Sequence, residues 1–164
     1  MRQRHLESAV VLGGLAALVL GGCATGGSTA KMTPEQTVAE RQQLMKVNGA
    51  SWMDAQNKIK AGNIEAVAVN AETMALLGSQ IPTLFPEGSM TDKSKAKPEV
   101  WQKWPEFEAA AKNMVAQSEK LRDAAKTNDK AAVEAVAKDF GRQACGTCHQ
   151  PFRVPPPQQP QQPR

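Results

Sequence analysis

Between residues 34 and 149, small and apolar side chains recur at alternating spacings of three and four, with only three interruptions. That spacing keeps a stripe on one face of an α-helix, whereas a strand turns over at every residue and cannot present it. The first stripe is Val38, Arg41, Met45, Asn48, Trp52, Ala55 and Ile59, started by Thr33, Pro34 and Glu35 and ended by Ala61, Gly62 and Asn63. The second is Ile64, Val67, Ala71, Met74, Gly78 and Ile81, with Asn63 as its expected cap and Pro82 as its stop. After a long connection over 82–97, a third helix is expected from Pro98 and Glu99, bent by Pro105. Its stripe is Trp104, Phe107, Ala111, Met114, Ser118, Leu121 and Ala125. Thr127, Asn128 and Asp129 break the chain. The fourth helix is expected to run from Lys130 through Val133, Val136, Phe140 and Ala144 to His149, closed by Pro151.

Four amphipathic helices with three breaks predict an all-α antiparallel four-helix bundle. Aromatic residues make up only 4% of the chain and tyrosine is absent, which also disfavours strands. The seams are thin, with alanine, glycine and serine at many positions where leucine would be usual. Such a bundle either packs closely or encloses a large apolar group.

The flanks divide the chain further. Arg2 and Arg4 precede an uncharged run over 9–20, too short for a bilayer that needs ~20 apolar residues. The run ends in Leu20-Gly21-Gly22-Cys23, which resembles the lipobox of bacterial lipoproteins. Residues 1–22 are thus expected to be a cleaved leader. Cys23 is the expected lipidation site at the head of a spacer over 23–33. A bundle domain over 34–153 and a Pro/Gln-rich tail over 154–164 follow. Several acyl chains would anchor the protein to a membrane. Ala24 follows the cysteine, not the aspartate that often retains such proteins at the inner membrane, so the outer membrane is favoured. The formal charge is +4, with acidic residues interrupting every basic stretch, so no nucleic-acid surface is expected. Lys93, Lys95 and Lys97 read as a solvated loop.

Loss of the leader removes His5, leaving His149 as the one histidine of the mature chain. It closes Cys145-Gly146-Thr147-Cys148-His149, a C-x-x-C-H pattern that reads as a haem c attachment site. Two thiols must reach two vinyl groups on one edge of a flat macrocycle while one imidazole reaches the iron from the same side. Positions i, i+3 and i+4 of a helix share a face, so Cys145, Cys148 and His149 can converge. Rival readings are a dithiol redox pair and half of a zinc site. The first usually opens a helix after a strand, and no strand is visible. The second lacks further cysteine or histidine ligands in the mature chain. A porphyrin would also supply the apolar volume that the thin seams lack.

The opposite face of the iron is left open by the residues alone: Met45, Met53, Met74, Met90, Met114, a lysine, or no ligand. For each methionine, filling the core is the plain alternative.

Several stretches together resemble the class II c-type cytochromes, the cytochrome c-prime family, over nearly all of 34–153. The C-x-x-C-H lies in the last helix. Arg41-Gln42-Gln43-Leu44-Met45-Lys46 is similar to the family's first-helix motif. Leu84-Phe85-Pro86-Glu87-Gly88-Ser89, followed by Ala96-Lys97-Pro98-Glu99-Val100-Trp101, is similar to its loop into the third helix. Phe152-Arg153 also agrees. The resemblance implies a four-helix bundle around one haem c, Arg41 beside a haem propionate, and Met45 on the distal side of the iron opposite His149. It further implies the low-spin branch, in which that methionine binds the iron. The expected function is a periplasmic, membrane-anchored single-electron carrier, not an enzyme, serving periplasmic redox proteins. The alternative is a high-spin protein that binds nitric oxide or carbon monoxide, and a third reading is a haem-free lipoprotein module. Trp52 and Trp101 are expected to be core or haem-packing residues. Pairing of two copies through the first two helices is a further implication of the resemblance.

Overall fold

A computed structural model of the chain describes residues 31–156. The leader over 1–22, Cys23, most of the spacer and the tail beyond residue 156 lie outside the described residues.

Helix α1 spans Pro34–Ala61. Thr33 caps it as expected: its Oγ1 accepts from Gln36 N at 3.2 Å, and Gln36 Oε1 accepts from Thr33 N at 2.8 Å. This reciprocal box satisfies two otherwise orphaned donors. The other end closes on Gly62 at φ 80°, a left-handed conformation that an L side chain would strain. Asn63 departs from expectation. Its N–H donates to Lys58 O at 2.9 Å, so it helps close α1 and does not cap the next helix.

Helix α2, Val67–Gln80, starts instead from a turn in which Val67 N donates to Ile64 O at 3.1 Å. A short 3₁₀ turn, Pro82–Leu84, leads into the long connection. The third helix is broken where a bend was expected. Helix α3 is only Glu99–Gln102, Lys103 leaves helical geometry at φ −124° and ψ 48°, and α4 runs Trp104–Lys126. The cause is Pro105. A continuous helix would set its ring against the carbonyl four residues back, whereas a restarted helix places it in the first turn, where no donor is needed.

Helix α5, Lys130–Phe140, is capped by Asp129, which accepts from Ala131 N and Ala132 N at 2.9 and 3.1 Å. The expected single helix to His149 is interrupted by a π-helical turn over Gly141–Gly146. It resumes as α6, Thr147–Phe152, one residue past Pro151. Together α1, α2, α3–α4 and α5–α6 form an antiparallel four-helix bundle, and among the described residues no strand is present.

Helices α2 and α4 pack along their length. Ala71, Ala75 and Gly78 of α2 and Ala111 and Ser118 of α4 are buried, so the backbones approach closely. A Cβ built on Gly78 would lie 3.1 Å from Val115 Cγ2. Ser118 Oγ is satisfied within its own helix by Met114 O at 2.9 Å. The expected stripes are the buried ones, except that Met45, Trp52, Trp104 and Val136 are half-buried.

Phe107 is the centre of an aromatic cluster, with ring centroids 4.7 Å from Phe85, 5.5 Å from Trp104 and 5.4 Å from Phe152. It joins the long connection, α4 and the end of α6. Phe107→Ala should therefore cost about 3–5 kcal/mol, because this site is held from three sides and has little scope to collapse. Urea unfolding should show a lower midpoint at an unchanged slope.

Candidate functional site

Between α1, the connection over 85–96 and α6 lies a cleft of about 500 Å³, whose walls include Val38, Arg41, Phe85 and Ala96. A smaller cavity of about 110 Å³ lies among Trp52, Met74, Ile81, Met114, Cys145 and Cys148. Met45 and His149 line both. The two side chains, from the first and last helices, thus mark the passage between an outer, partly polar space and an inner apolar one.

Each wall has an identifiable cause. On α1, Arg41, Met45, Asn48 and Trp52 follow the three-and-four spacing and share one face. Trp52 stacks on Phe140 with centroids 4.5 Å apart, which sets how far α1 stands from α5. Trp101 Nε1 donates to Phe85 O at 3.0 Å and Pro86 O at 3.2 Å, pinning the connection. The other end of the connection is tied to α6: Lys97 N donates to Phe152 O at 2.9 Å and Val154 N to Lys95 O at 2.8 Å. Lys97 Nζ itself donates to Gln150 O at 3.1 Å, so it serves this junction and is not a spare surface charge.

The π-turn places the cysteines. A turn of this kind accommodates one more residue than an α-turn and leaves carbonyls to be satisfied from elsewhere. Gln143 O accepts from Asn113 Nδ2 of α4, and from Thr147 Oγ1 at 3.0 Å. Thr147 lies between the two cysteines, so Asn113 holds the motif to α4. Sequence reasoning missed Asn113, because nothing local marks a residue that acts across such a separation.

Arg41 is only 6% exposed. Its Nη2 donates to Ser89 O and its guanidinium lies over the Phe85 ring, 4.4 Å from the centroid. No carboxylate pairs with it among the described residues, and its Nη1 has no partner there. Burial pulls its proton affinity below the usual guanidinium value. A buried cation without an anion is costly, so the cleft is built for a ligand with an acidic end.

The thiols lie at the other end. Cys145 and Cys148 are free and half-buried. Burial raises both, and Cys148, also beside Cys145, is pushed up to about 11. His149 is exposed along the cleft, yet it is held below the usual imidazole value, first by partial loss of water around the ring and then by the charge of Arg153, so it is neutral near pH 7. Among the described residues no three His, Cys, Asp or Glu side chains come together, so the cysteines and His149 have no companions to complete a zinc site. A cationic end at Arg41, a reactive edge at two thiols, and a neutral imidazole with a thioether between them fit a covalently held haem with acidic propionates.

Comparison with known proteins agrees. The family model described as cytochrome C′ matches residues 36–153. A cytochrome c′ from Pararhodospirillum photometricum is 35% identical over 126 residues, covering 74% of this chain and 98% of the relative. A cytochrome c-556 from Agrobacterium fabrum is 32% identical over 144 residues, covering 85% and 94%. The solved cytochrome c′ of Thermochromatium tepidum has a TM-score of 0.70 at 25% identity, covering 77% of this chain and 100% of its own. Another, described as having an unusual ligand-controlled dimer dissociation, gives the same TM-score, identity and coverage. A bundle around a single haem site is the class that fold and cleft define. The chain belongs to the cytochrome c′ family, and its cofactor is one covalent haem c.

The raised thiols give a pH test. A thiol titrating near 11 is only ~10⁻⁴ thiolate at pH 7, against ~10⁻² for an ordinary one. Alkylation of the folded, haem-free chain should therefore be about a hundredfold slower at Cys148 than in the unfolded chain at neutral pH. The gap should close as pH rises towards 11. Peptide mass mapping after timed iodoacetamide treatment measures it.

Proposed function

We propose that this protein is an exported single-electron carrier whose haem is tethered through Cys145 and Cys148, with His149 and Met45 as its axial pair and Arg41 at a propionate. The observation that carries this reading is that Met45 and His149, and no other residues, line both cavities. Bound haem supplies a one-electron couple at its iron.

The chain does the rest. His149 offers a neutral imidazole at physiological pH, because its conjugate acid is disfavoured in this setting. Met45 offers an uncharged thioether, a soft donor that favours the ferrous state. Arg41 compensates the acidic edge and fixes its direction. Trp52, Met74, Ile81 and Met114 exclude water from the inner end. Both axial residues sit on packed helices, so the surroundings need to rearrange little as charge changes. That suits electron transfer, not substrate turnover.

Met45→Ala should convert a low-spin optical spectrum to a high-spin one and lower the potential, and an unchanged spectrum would remove Met45 from the ligand set. His149→Ala should abolish the holoprotein.

Export to the periplasm and anchoring through a lipidated Cys23, with the outer membrane as destination, complete the proposal. They rest on the leader and Leu20-Gly21-Gly22-Cys23. Radiolabelled palmitate should enter the wild type and not Cys23→Ser. Equal labelling, or none in either, would refute the anchor.

The protein is further proposed to pair with itself. Met53 of α1 and Val69 and Leu76 of α2 are 64%, 68% and 61% exposed, more than large apolar side chains usually are when left to water. Val69→Asp combined with Leu76→Asp should move the sedimenting species from dimer to monomer. A monomeric wild type would refute pairing.

A further inference from the structure

Asn48 is a buried amide with no bond to make inside the fold. It is 6% exposed, and neither Nδ2 nor Oδ1 has a hydrogen-bond partner among the described residues. A carboxamide left in that condition costs free energy that a leucine of similar size would not. Asn70, the other buried asparagine among the described residues, shows the usual solution: it donates to Asp54 Oδ2 and accepts from Lys58 Nζ.

The surroundings of Asn48 limit what its partner can be. It lines the inner cavity, whose other walls carry neither a carboxylate nor a hydroxyl. With His149 turned to the iron, the side-chain acceptors left there are sulphur atoms. Those of Cys145 and Cys148 are committed to the tether. Met74 and Met114 come from α2 and α4, are 1% and 7% exposed, and pack within the core, where neither accepts from Asn48. Met45 differs. It precedes Asn48 by three residues on the same face of α1, a spacing that sets the two Cβ atoms ~5–6 Å apart. Its side chain is half-buried, unbranched and flexible, so its sulphur can turn within reach of the amide.

We propose that Asn48 is a positioning residue for the axial thioether, its Nδ2 donating to Met45 Sδ while that sulphur is bound to iron. The inference rests on the Met45 ligation proposed above. A thioether sulphur has two lone pairs and no proton. One pair goes to the iron and the other remains, so it can satisfy the N–H of the amide but not its oxygen. That choice fixes which end of Asn48 faces Met45, and the bond holds the thioether to one rotation about its link to the iron. It also draws electron density from the sulphur. Ferric iron loses more by this than ferrous iron does, so the donor raises the reduction potential.

The test is a double-mutant cycle on full-length holoprotein, read as reduction potential. Asn48→Leu should favour the ferric state about fivefold, which for a one-electron couple is a fall of ~40 mV. In a Met45→Ala background the same replacement should leave the potential where it was. The sulphur-to-iron charge-transfer band of the ferric protein should shift in Asn48→Leu. Loss of a polar group in general would act in the opposite direction, because apolar surroundings disfavour the more highly charged ferric form. A potential that rises or stays in Asn48→Leu, or falls equally in both backgrounds, would overturn the proposal. So would a lower thermal midpoint at unchanged potential, which would assign Asn48 to packing. A Met45→Ala spectrum like that of the wild type strikes the ligation reading, and this inference falls with it. That comparison leaves Asn48 untouched, so the two failures are distinguishable.

Discussion

The cleft exists because one side of the bundle is closed by small residues and the other is propped by large ones. On the α2–α4 side, Gly78, Ala71, Ala111 and Ser118 let the helices come together with little between them. On the α1 side, Trp52 on Phe140 holds α1 and α5 apart at one level. The C-terminal arm reaches the long connection through main-chain bonds from Lys97 and Val154. A uniform leucine seam would bring all four helices to one spacing and leave no slot. Here unequal side-chain sizes convert a bundle into a clamp.

The polar groups inside that clamp are few, and each is exposed to scrutiny because water cannot reach it freely. Arg41 has Ser89 O and the face of Phe85, yet keeps one nitrogen for an anion. The Asn70 carboxamide, also buried, is fully engaged by Asp54 at 2.9 Å and Lys58 at 2.7 Å between α1 and α2. Where the protein means a polar group to be structural, it completes the bonds. The contrast separates side chains that hold the fold from those that await something else.

Much of this was legible in the sequence. The stripes named the buried faces, Thr33 and Asp129 marked helix starts, and C-x-x-C-H located the reactive edge. Arg41 and Met45 were placed by resemblance, and both line the outer cleft. What escaped has physical reasons. A π-turn differs from an α-turn by one residue and has no composition of its own, so the fourth helix read as continuous. Lys103 breaks the third helix because of a proline two residues later, where a bend and a restart look alike in sequence. Ser89, Phe85 and Asn113 act on residues far away in the chain, and only the fold brings them there. Asn63 had the chemistry of a cap, but a neighbouring glycine turned its N–H to the preceding helix.

The widened turn over Gly141–Gly146 has a consequence for how such a bundle can evolve. One surplus residue there rotates everything downstream by about 100° about the helix axis, while everything upstream keeps its packing. The segment that grips the prosthetic group can thus be re-aimed without disturbing the seam formed by Val133 and Phe140. Insertion or loss of a single codon in this stretch is a dial on the orientation of Cys145, Cys148 and His149, set independently of the scaffold that carries them.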